Sequence, residues 1–141
     1  MVRSKQLKRS NCPISFALEI FGDRWTLLVL RDLLLRSRNR YRELLACEEG
    51  IATNVLADRL KRLERRRLIR KLRDPEDARQ YVYKPTPLAV HLVPMLLEMA
   101  VWGARTSKRT SAGSDLIRRF ETDREQLIAE FQERVQRQST E

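Results

Sequence analysis

Residues 41–84 read YRELLACEEGIATNVLADRLKRLERRRLIRKLRDPEDARQYVYK. Tyr41, Leu44 and Leu45 fall at i, i+3 and i+4, which predicts a short helix over 41–47 with Gly50 breaking the pattern. Thr53 has the side chain of a helix cap, and residues 54–66 carry an apolar stripe of Val55 or Leu56, Leu60 and Leu63. The opposite face of that helix shows Asn54, Ala57, Asp58, Lys61 and Arg65. Two β-rich runs, 68–73 and 80–84, flank the turn-forming segment DPEDA at 74–78, so residues 68–84 are expected to form a β-hairpin. Two helices joined by a Gly-containing turn and followed by a hairpin are the parts of a winged helix-turn-helix.

The flanking sequence supplies the scaffold. On the N-terminal side, Pro13 opens a short apolar helix that closes at Gly22, and Asp23 is placed to cap a second helix over 24–35. RWTLLVLRDLLL is apolar nearly all round, the pattern of a central buried helix. On the C-terminal side, Pro87 begins a long helix to about Arg105, with a kink or break expected at Pro94. Trp25, Trp102, Phe16, Phe21, Met95 and Met99 are read first as core anchors, and His91 as a partly exposed helix residue. TSKRTSAG at 106–113 reads as a linker. Residues 114–137 are expected to form one amphipathic helix whose stripe is Ile117, Phe120, Leu127, Ile128, Phe131 and Val135. So small a basic domain is not expected to bury that stripe alone. A two-fold dimer contact is the first reading, and packing on the chain's own long helix is the alternative. The fold class is therefore mainly α with a small β-hairpin. A winged helix-turn-helix DNA-binding domain spans 1–105, and a linker with a C-terminal dimerisation helix spans 106–141.

Charge points to the partner. Lys and Arg total 29 against 19 Asp and Glu, a formal net charge of +10 on 141 residues. Residues 36–84 hold 15 basic and 8 acidic side chains, residues 1–11 contribute four bases and no acid, and residues 114–141 are net −2. A basic excess in the first two thirds of a small domain suits a polyanion, most simply nucleic acid. No run of 18 uncharged apolar residues occurs and the basic N-terminus lacks a signal-peptide core, so a cytoplasmic protein without a membrane partner is expected. Two cysteines and one histidine are too few for a disulfide scaffold or a Cys/His metal site, and no metal or cofactor is expected. The chain has no glycine-rich phosphate loop and no Ser–His–Asp set, which argues against an enzyme.

In a winged helix-turn-helix the second helix enters the major groove of double-stranded DNA and its N-terminal residues reach base edges. Thr53, Asn54, Asp58, Lys61, Arg62 and Arg65 are the candidates on that helix. Asn54 can pair bidentately with adenine, and Lys61 or Arg62 with guanine or phosphate. The alternatives are a cap role for Thr53 and a solvated face for the charges. Arg73 and Arg79 flank the wing tip and suit a narrow minor groove or a phosphate, although a strand arginine such as Arg73 also serves to shield an edge. Arg38, Arg40 and Arg42, before and within the third helix, suit backbone contact or a basic soluble loop equally.

The segments CPISFALEIFGDRWTLLVLRDLL, YRELL, GIATNVLADRLKRLERRRLI, DARQYVYKPT and LVPMLLEMAVWG together resemble HxlR-type winged-helix transcriptional regulators, relatives of the MarR group. The resemblance covers roughly residues 12–103. It implies a homodimeric, DNA-binding regulator that usually represses, with two recognition helices on a palindromic operator. In several members of the family it also implies a response to thiol-reactive or aldehyde stress. The chain departs from the family pattern at Glu48 and Glu49, where an apolar residue and Pro are usual, and at Arg67, where Gly usually ends the recognition helix. Pro85 and Ala89 also depart from it.

Cys12 precedes Pro13 at the start of the first helix, where unpaired N–H groups favour a thiolate, and Lys8 and Arg9 are near in sequence. The resemblance implies that a cysteine there is the usual oxidant or electrophile sensor; an inert thiol is the alternative. A small-molecule effector, or none, remains open beside thiol sensing. Cys47 reads as a core filler that could resolve a Cys12 sulfenic acid if the two approach.

Overall fold

The computed structural model describes residues 10–110 and 113–141. The basic run of Arg3, Lys5, Lys8 and Arg9 lies outside the described residues, as do residues 111 and 112 of the expected linker.

Helix α1, Pro13–Phe21, starts with Pro in its first turn and stops at Gly22. A Cβ at Gly22 would stand 2.3 Å from the Leu18 carbonyl oxygen, so only glycine fits there. Helix α2, Arg24–Leu34, is capped as expected: the Asp23 carboxylate accepts from the Thr26 N–H at 3.1 Å and from its hydroxyl at 2.6 Å. Val29, Leu30, Leu33 and Leu34 of α2 are buried and form the centre of the core.

Helix α3, Tyr41–Leu45, is fixed at its start by the Glu43 carboxylate, which accepts from the N–H groups of Asn39 and Arg40. Gly50 takes φ +74 in the turn between α3 and α4, a conformation that favours glycine. Helix α4 is Thr53–Arg65, and Leu56, Leu60 and Leu63 are buried on its inner face. Thr53 is not the cap. It is the first helical residue, Ala52 holds the cap position, and no side chain bonds there. Arg67 takes φ 59 where α4 gives way to the hairpin, the backbone conformation for which glycine is usual.

Strands β1, Ile69–Arg73, and β2, Tyr81–Pro85, pair antiparallel in the register Ile69↔Pro85 to Arg73↔Tyr81. Arg40 makes a bridge to Val82 on the other side of β2, and the Tyr83 N–H donates to the Asn39 carbonyl at 2.8 Å. The wing is thereby anchored to the segment that leads into α3.

The expected long helix is two: α5, Pro87–Val90, and α6, Val93–Thr106. The break falls at His91–Leu92, ahead of Pro94, which has no N–H to donate and sits in the first turn of α6. Pro87–Thr106 has a mean hydropathy of 1.4 in its most apolar window, because Ala89, Val93, Leu97 and Val101 supply core.

The single helix expected over 114–137 is also two. α7, Ser114–Thr122, and α8, Arg124–Thr140, meet at Asp123, whose φ of −151 and ψ of 52 are not helical. The break divides the C-terminal stripe between two helices. α8 folds back across α5, α6 and β2. Phe120, Leu127 and Val135 are buried in the chain's own core, with Val135 at 0% exposure, and Ile128 and Phe131 pack against it partly buried. Ile117 is half-buried. Phe120, Leu127 and Val135 are thus covered within the chain, while Ile117, Ile128 and Phe131 keep part of their surface exposed.

The large apolar side chains left in solvent lie elsewhere. Ile14, Phe16 and Leu18 on α1 and Met99 and Trp102 on α6 are exposed, Trp102 to 70%. Phe16, Met99 and Trp102 are therefore not the core anchors that their chemistry suggested.

Candidate nucleic-acid interface

Burial of Leu56, Leu60 and Leu63 orients α4 so that Thr53, Asn54, Asp58, Lys61, Arg62 and Arg65 all stand in solvent. The helix is locked in that orientation by Arg59. Its Nε donates to Asp23 at 2.8 Å, joining α4 to the cap of α2, and its Nη1 donates to Asp58 at 2.7 Å. Partial burial pushes the Asp23 carboxyl up, but the bonds from Arg59 and Thr26 outweigh it and hold the group at about 2. Asp58 also pairs with Arg62 one turn on, at 3.1 Å. The two make a fixed donor–acceptor pair on the outer face. Lys61 and Arg65 form no ion pair among the described residues, which leaves their charge available.

The wing adds further bases. Arg79 stands at its tip with a side chain 90% exposed, steadied by Asp77 at 3.0 Å. The Arg73 guanidinium donates to the Ala78 carbonyl at 2.9 Å and lies 4.5 Å from the Tyr81 ring centroid. The Lys71 ammonium approaches the same ring at 4.2 Å, so Tyr81 orders two wing cations at once.

Arg40 has a different place. Its Nε donates to the buried Asp74 at 2.8 Å, its Nη2 donates to Glu76 at 3.1 Å, and Glu43 is 3.9 Å away. The Arg40 bond holds the Asp74 carboxyl below its ordinary range. Arg40 is a strut between the wing and the start of α3. Arg38 is likewise drawn to Asp32 and Glu48, while Arg42 is exposed.

Between α4 and the wing runs an open groove of about 480 Å³, lined among others by Tyr41, Arg42, Lys61, Lys71, Arg79 and Tyr81. Cations from three elements converge on one cleft with aromatic rings in its wall, an arrangement suited to a nucleic-acid backbone. Lys71, Tyr41 and Tyr81 were missed as site residues. Strand alternation could have found Lys71, which sits opposite Tyr83 in the hairpin register.

A second network lies behind the interface. Arg31 grips Glu49 through both terminal nitrogens at 2.6 and 3.0 Å, and donates through Nε to the buried Asp32 at 2.9 Å. Arg36 reaches Asp32 and Glu48 at 3.3 and 3.1 Å. The Arg31 bond holds the Glu49 carboxyl at about 2. The acidic pair that departs from the family pattern thus ties the helix-turn-helix turn to α2.

Both thiols are free. Cys12 is exposed at the cap position of α1, and Cys47 is buried in the core. No group of three or more potential metal ligands occurs among the described residues.

Comparison with known proteins accords with this geometry. Residues 20–111 match the HxlR-like helix-turn-helix family. An HTH-type transcriptional regulator of Synechocystis is 28% identical over 106 residues, covering 75% of this chain and 78% of that protein. The regulatory protein MalR of Fusobacterium mortiferum is 28% identical over 103 residues, covering 73% of this chain and 97% of its own length. Among solved structures, PA1607, described as a transcription factor, superposes with a TM-score of 0.66 at 26% identity, covering 75% of this chain and 74% of that one. A MarR-family transcriptional regulator of Porphyromonas gingivalis gives 0.60 at 29% identity, covering 73% of this chain and 100% of that one. The redox regulator HypR shares the fold at 21% identity, with a TM-score of 0.61, covering 70% of this chain and 100% of that one. The family consists of DNA-binding transcriptional regulators rather than enzymes, and with its open basic recognition helix, wing and matching 92-residue span this chain belongs to it as an HxlR-like winged helix-turn-helix transcriptional regulator.

Proposed function

We propose that the protein is a homodimeric repressor that occupies a palindromic operator in the cytoplasm and responds to oxidants or electrophiles through Cys12. The observation that carries DNA reading is the division of α4: its leucines are buried while Asn54, Lys61 and Arg65 stand free beside an exposed Arg79. In this reading Thr53 and Asn54 meet base edges. Lys61, Arg62 and Arg65 meet bases or phosphates, and Asp58 orients Arg62. Arg73 and Arg79 carry the wing contact.

Dimerisation is supported by the exposed apolar residues of α1 and α6, too many for a lone soluble domain to leave in water. Two copies would place recognition helices about 34 Å apart, on half-sites one turn of DNA apart. Thiol sensing is supported by the exposure of Cys12 at the entry to α1, the helix that bears three of those apolar residues. Modification of its sulfur would then alter the dimer and the spacing of the two helices.

Fluorescence anisotropy on the chain's own upstream DNA against a scrambled duplex tests the reading. Selective binding on the order of 10³-fold or more is expected, and equal binding to both duplexes contradicts it. Sedimentation is expected to give a dimer that Ile14→Glu or Trp102→Glu dissociates; a monomeric wild-type chain would contradict the dimer. Diamide is expected to change promoter binding in the wild type and not in Cys12→Ser, and an unchanged wild type would remove the sensor.

A further inference from the structure

The two strands of the wing differ at their outer edges. At the ends of the hairpin the Thr86 N–H donates to the Leu68 carbonyl at 3.0 Å and the Asp74 N–H to the Gln80 carbonyl at 2.9 Å. An antiparallel ladder alternates, so the even-numbered residues of β1 bond to β2, and Ile69, Lys71 and Arg73 turn their N–H and C=O groups outward. Those outward groups form no backbone hydrogen bond among the described residues. The outer edge of β2, in contrast, is met by Asn39 and Arg40. An open groove of about 490 Å³ follows the free edge of β1. Residues 69–72 line it in unbroken succession, although their side chains alternate between faces, and Glu64 and Arg67 border it from the end of α4. Arg67, Arg70 and Lys71 outnumber Glu64 there, so the rim is cationic. Arg70 donates to the neutral Ser139 carbonyl, which leaves its charge uncompensated.

We propose that the free edge of β1 docks an acidic peptide segment in extended conformation, added to the wing as a third strand. Backbone pairing supplies the affinity. Each outward residue offers a donor beside an acceptor, a pattern that a peptide strand matches and that a phosphodiester, which only accepts, does not. Charge selects the occupant. A second copy of β1 would set Arg70, Lys71 and Arg73 against like charges, so these side chains guard the edge against self-pairing and favour an acidic strand. Lys71 also lines the groove between α4 and the wing, so a docked acidic strand draws it away from DNA. Only this last consequence rests on the regulator reading above. Docking itself does not.

Calorimetry on the full chain with the end-capped peptides EVEVEVE and KVKVKVK tests it. The acidic peptide is expected to bind about tenfold or more tighter than the basic one. General attraction to a basic chain would give that order too, so the backbone is probed separately. Two forms of EVEVEVE are methylated on alternate backbone nitrogens, one set in each. A paired strand turns only one set toward β1, so one form is expected to lose binding and the other to keep it. Lys71→Pro removes one outward N–H without touching the ladder to β2 and is expected to abolish binding, while Lys71→Gln weakens it severalfold. If Lys71→Pro does not fold, amide exchange in the wild type decides: the peptide is expected to slow exchange at Lys71 and Arg73, and unchanged exchange overturns the proposal. Equal binding of the two methylated forms, equal binding of acidic and basic peptides, or no binding at all also overturns it. If no peptide binds and Lys71→Pro weakens promoter binding beyond Lys71→Gln, the edge belongs to the DNA contact, and the proposal is likewise overturned. Saturating EVEVEVE is expected to weaken promoter binding. Docking without any promoter selectivity supports the site and removes the regulator reading; selective promoter binding without docking removes the site alone.

Discussion

Helices α4 and α8 are both amphipathic, yet they spend their polar faces differently. α4 buries Leu56, Leu60 and Leu63 and leaves a basic face open to solvent. α8 buries Leu127 and Val135 just as completely, but its Arg124 and Arg134 turn back to the protein. Arg134 donates to the Leu35 carbonyl at 2.6 Å, at the C-terminus of α2, where a cation is favoured. From β1, Arg70 donates to the Ser139 carbonyl at 2.8 Å. Arg134 Nε is the one buried side-chain nitrogen without a partner among the described residues, and its place at the end of α2 and over the Phe131 ring accounts for its burial. An apolar stripe therefore tells that a helix is buried on one side. What the other side does is decided by where its charges find carbonyls and carboxylates.

The contrast is sharpest in the response to truncation. Leu127→Ala is expected to destabilise the chain by roughly 2–5 kcal/mol, the range for a leucine removed from a packed core. Urea unfolding would read this loss without dependence on protein concentration, because the cavity lies within one chain. A loss that vanished on dilution would return α8 to the dimer contact. Lys61→Ala is expected to leave stability within about 0.5 kcal/mol of wild type, as an exposed substitution does, while weakening DNA binding. Asn54→Ala is expected to cost about 1–3 kcal/mol of discrimination at one base position, read by binding to single-base variants of the operator.

Smaller effects probe the links behind α4. The Glu49 carboxyl is lowered to about 2 by Arg31, so its contribution is complete above the ordinary Glu pKa. That contribution is lost as pH falls from the ordinary value toward about 2. Since the pair is partly solvated, about 1 kcal/mol is expected from it. Glu49→Gln should therefore flatten the acid limb of the stability curve and lower stability at neutral pH by about 1 kcal/mol. An unchanged acid limb would mean that the Arg31–Glu49 contact is not held in solution. Arg67→Gly is the smallest change, a gain of at most about 1 kcal/mol from relief at φ 59.

Local signals carried most of the fold. Pro13, Asp23, Gly50 and the DPEDA turn each mark an element boundary by backbone chemistry alone, and the boundaries appear where those residues stand. Pro94 likewise announces the break at His91–Leu92, which falls just ahead of it. The break at Asp123 was less legible, because it depends on α8 reaching a core built by distant residues. The same cause explains the stripe of Phe120, Leu127 and Val135: periodicity shows that a face is covered, not by which chain. In the site, α4's solvent face followed from its leucine spacing. Arg40 did not, because its partners Asp74 and Glu76 lie more than thirty residues away and only the folded wing brings them to it. Arg31 and Glu49, eighteen residues apart, escaped for the same reason.

The most direct test of the open face of α4 and the wing as the DNA contact is the salt dependence of promoter binding, wild type against the Lys61→Ala/Arg79→Ala double variant. Each phosphate contact contributes about 0.9 to the slope of log affinity on log salt. A slope shallower by roughly 1.8 is expected in the double variant, with thermal stability unchanged. Identical slopes in the two proteins would contradict it and move the DNA contact to another face.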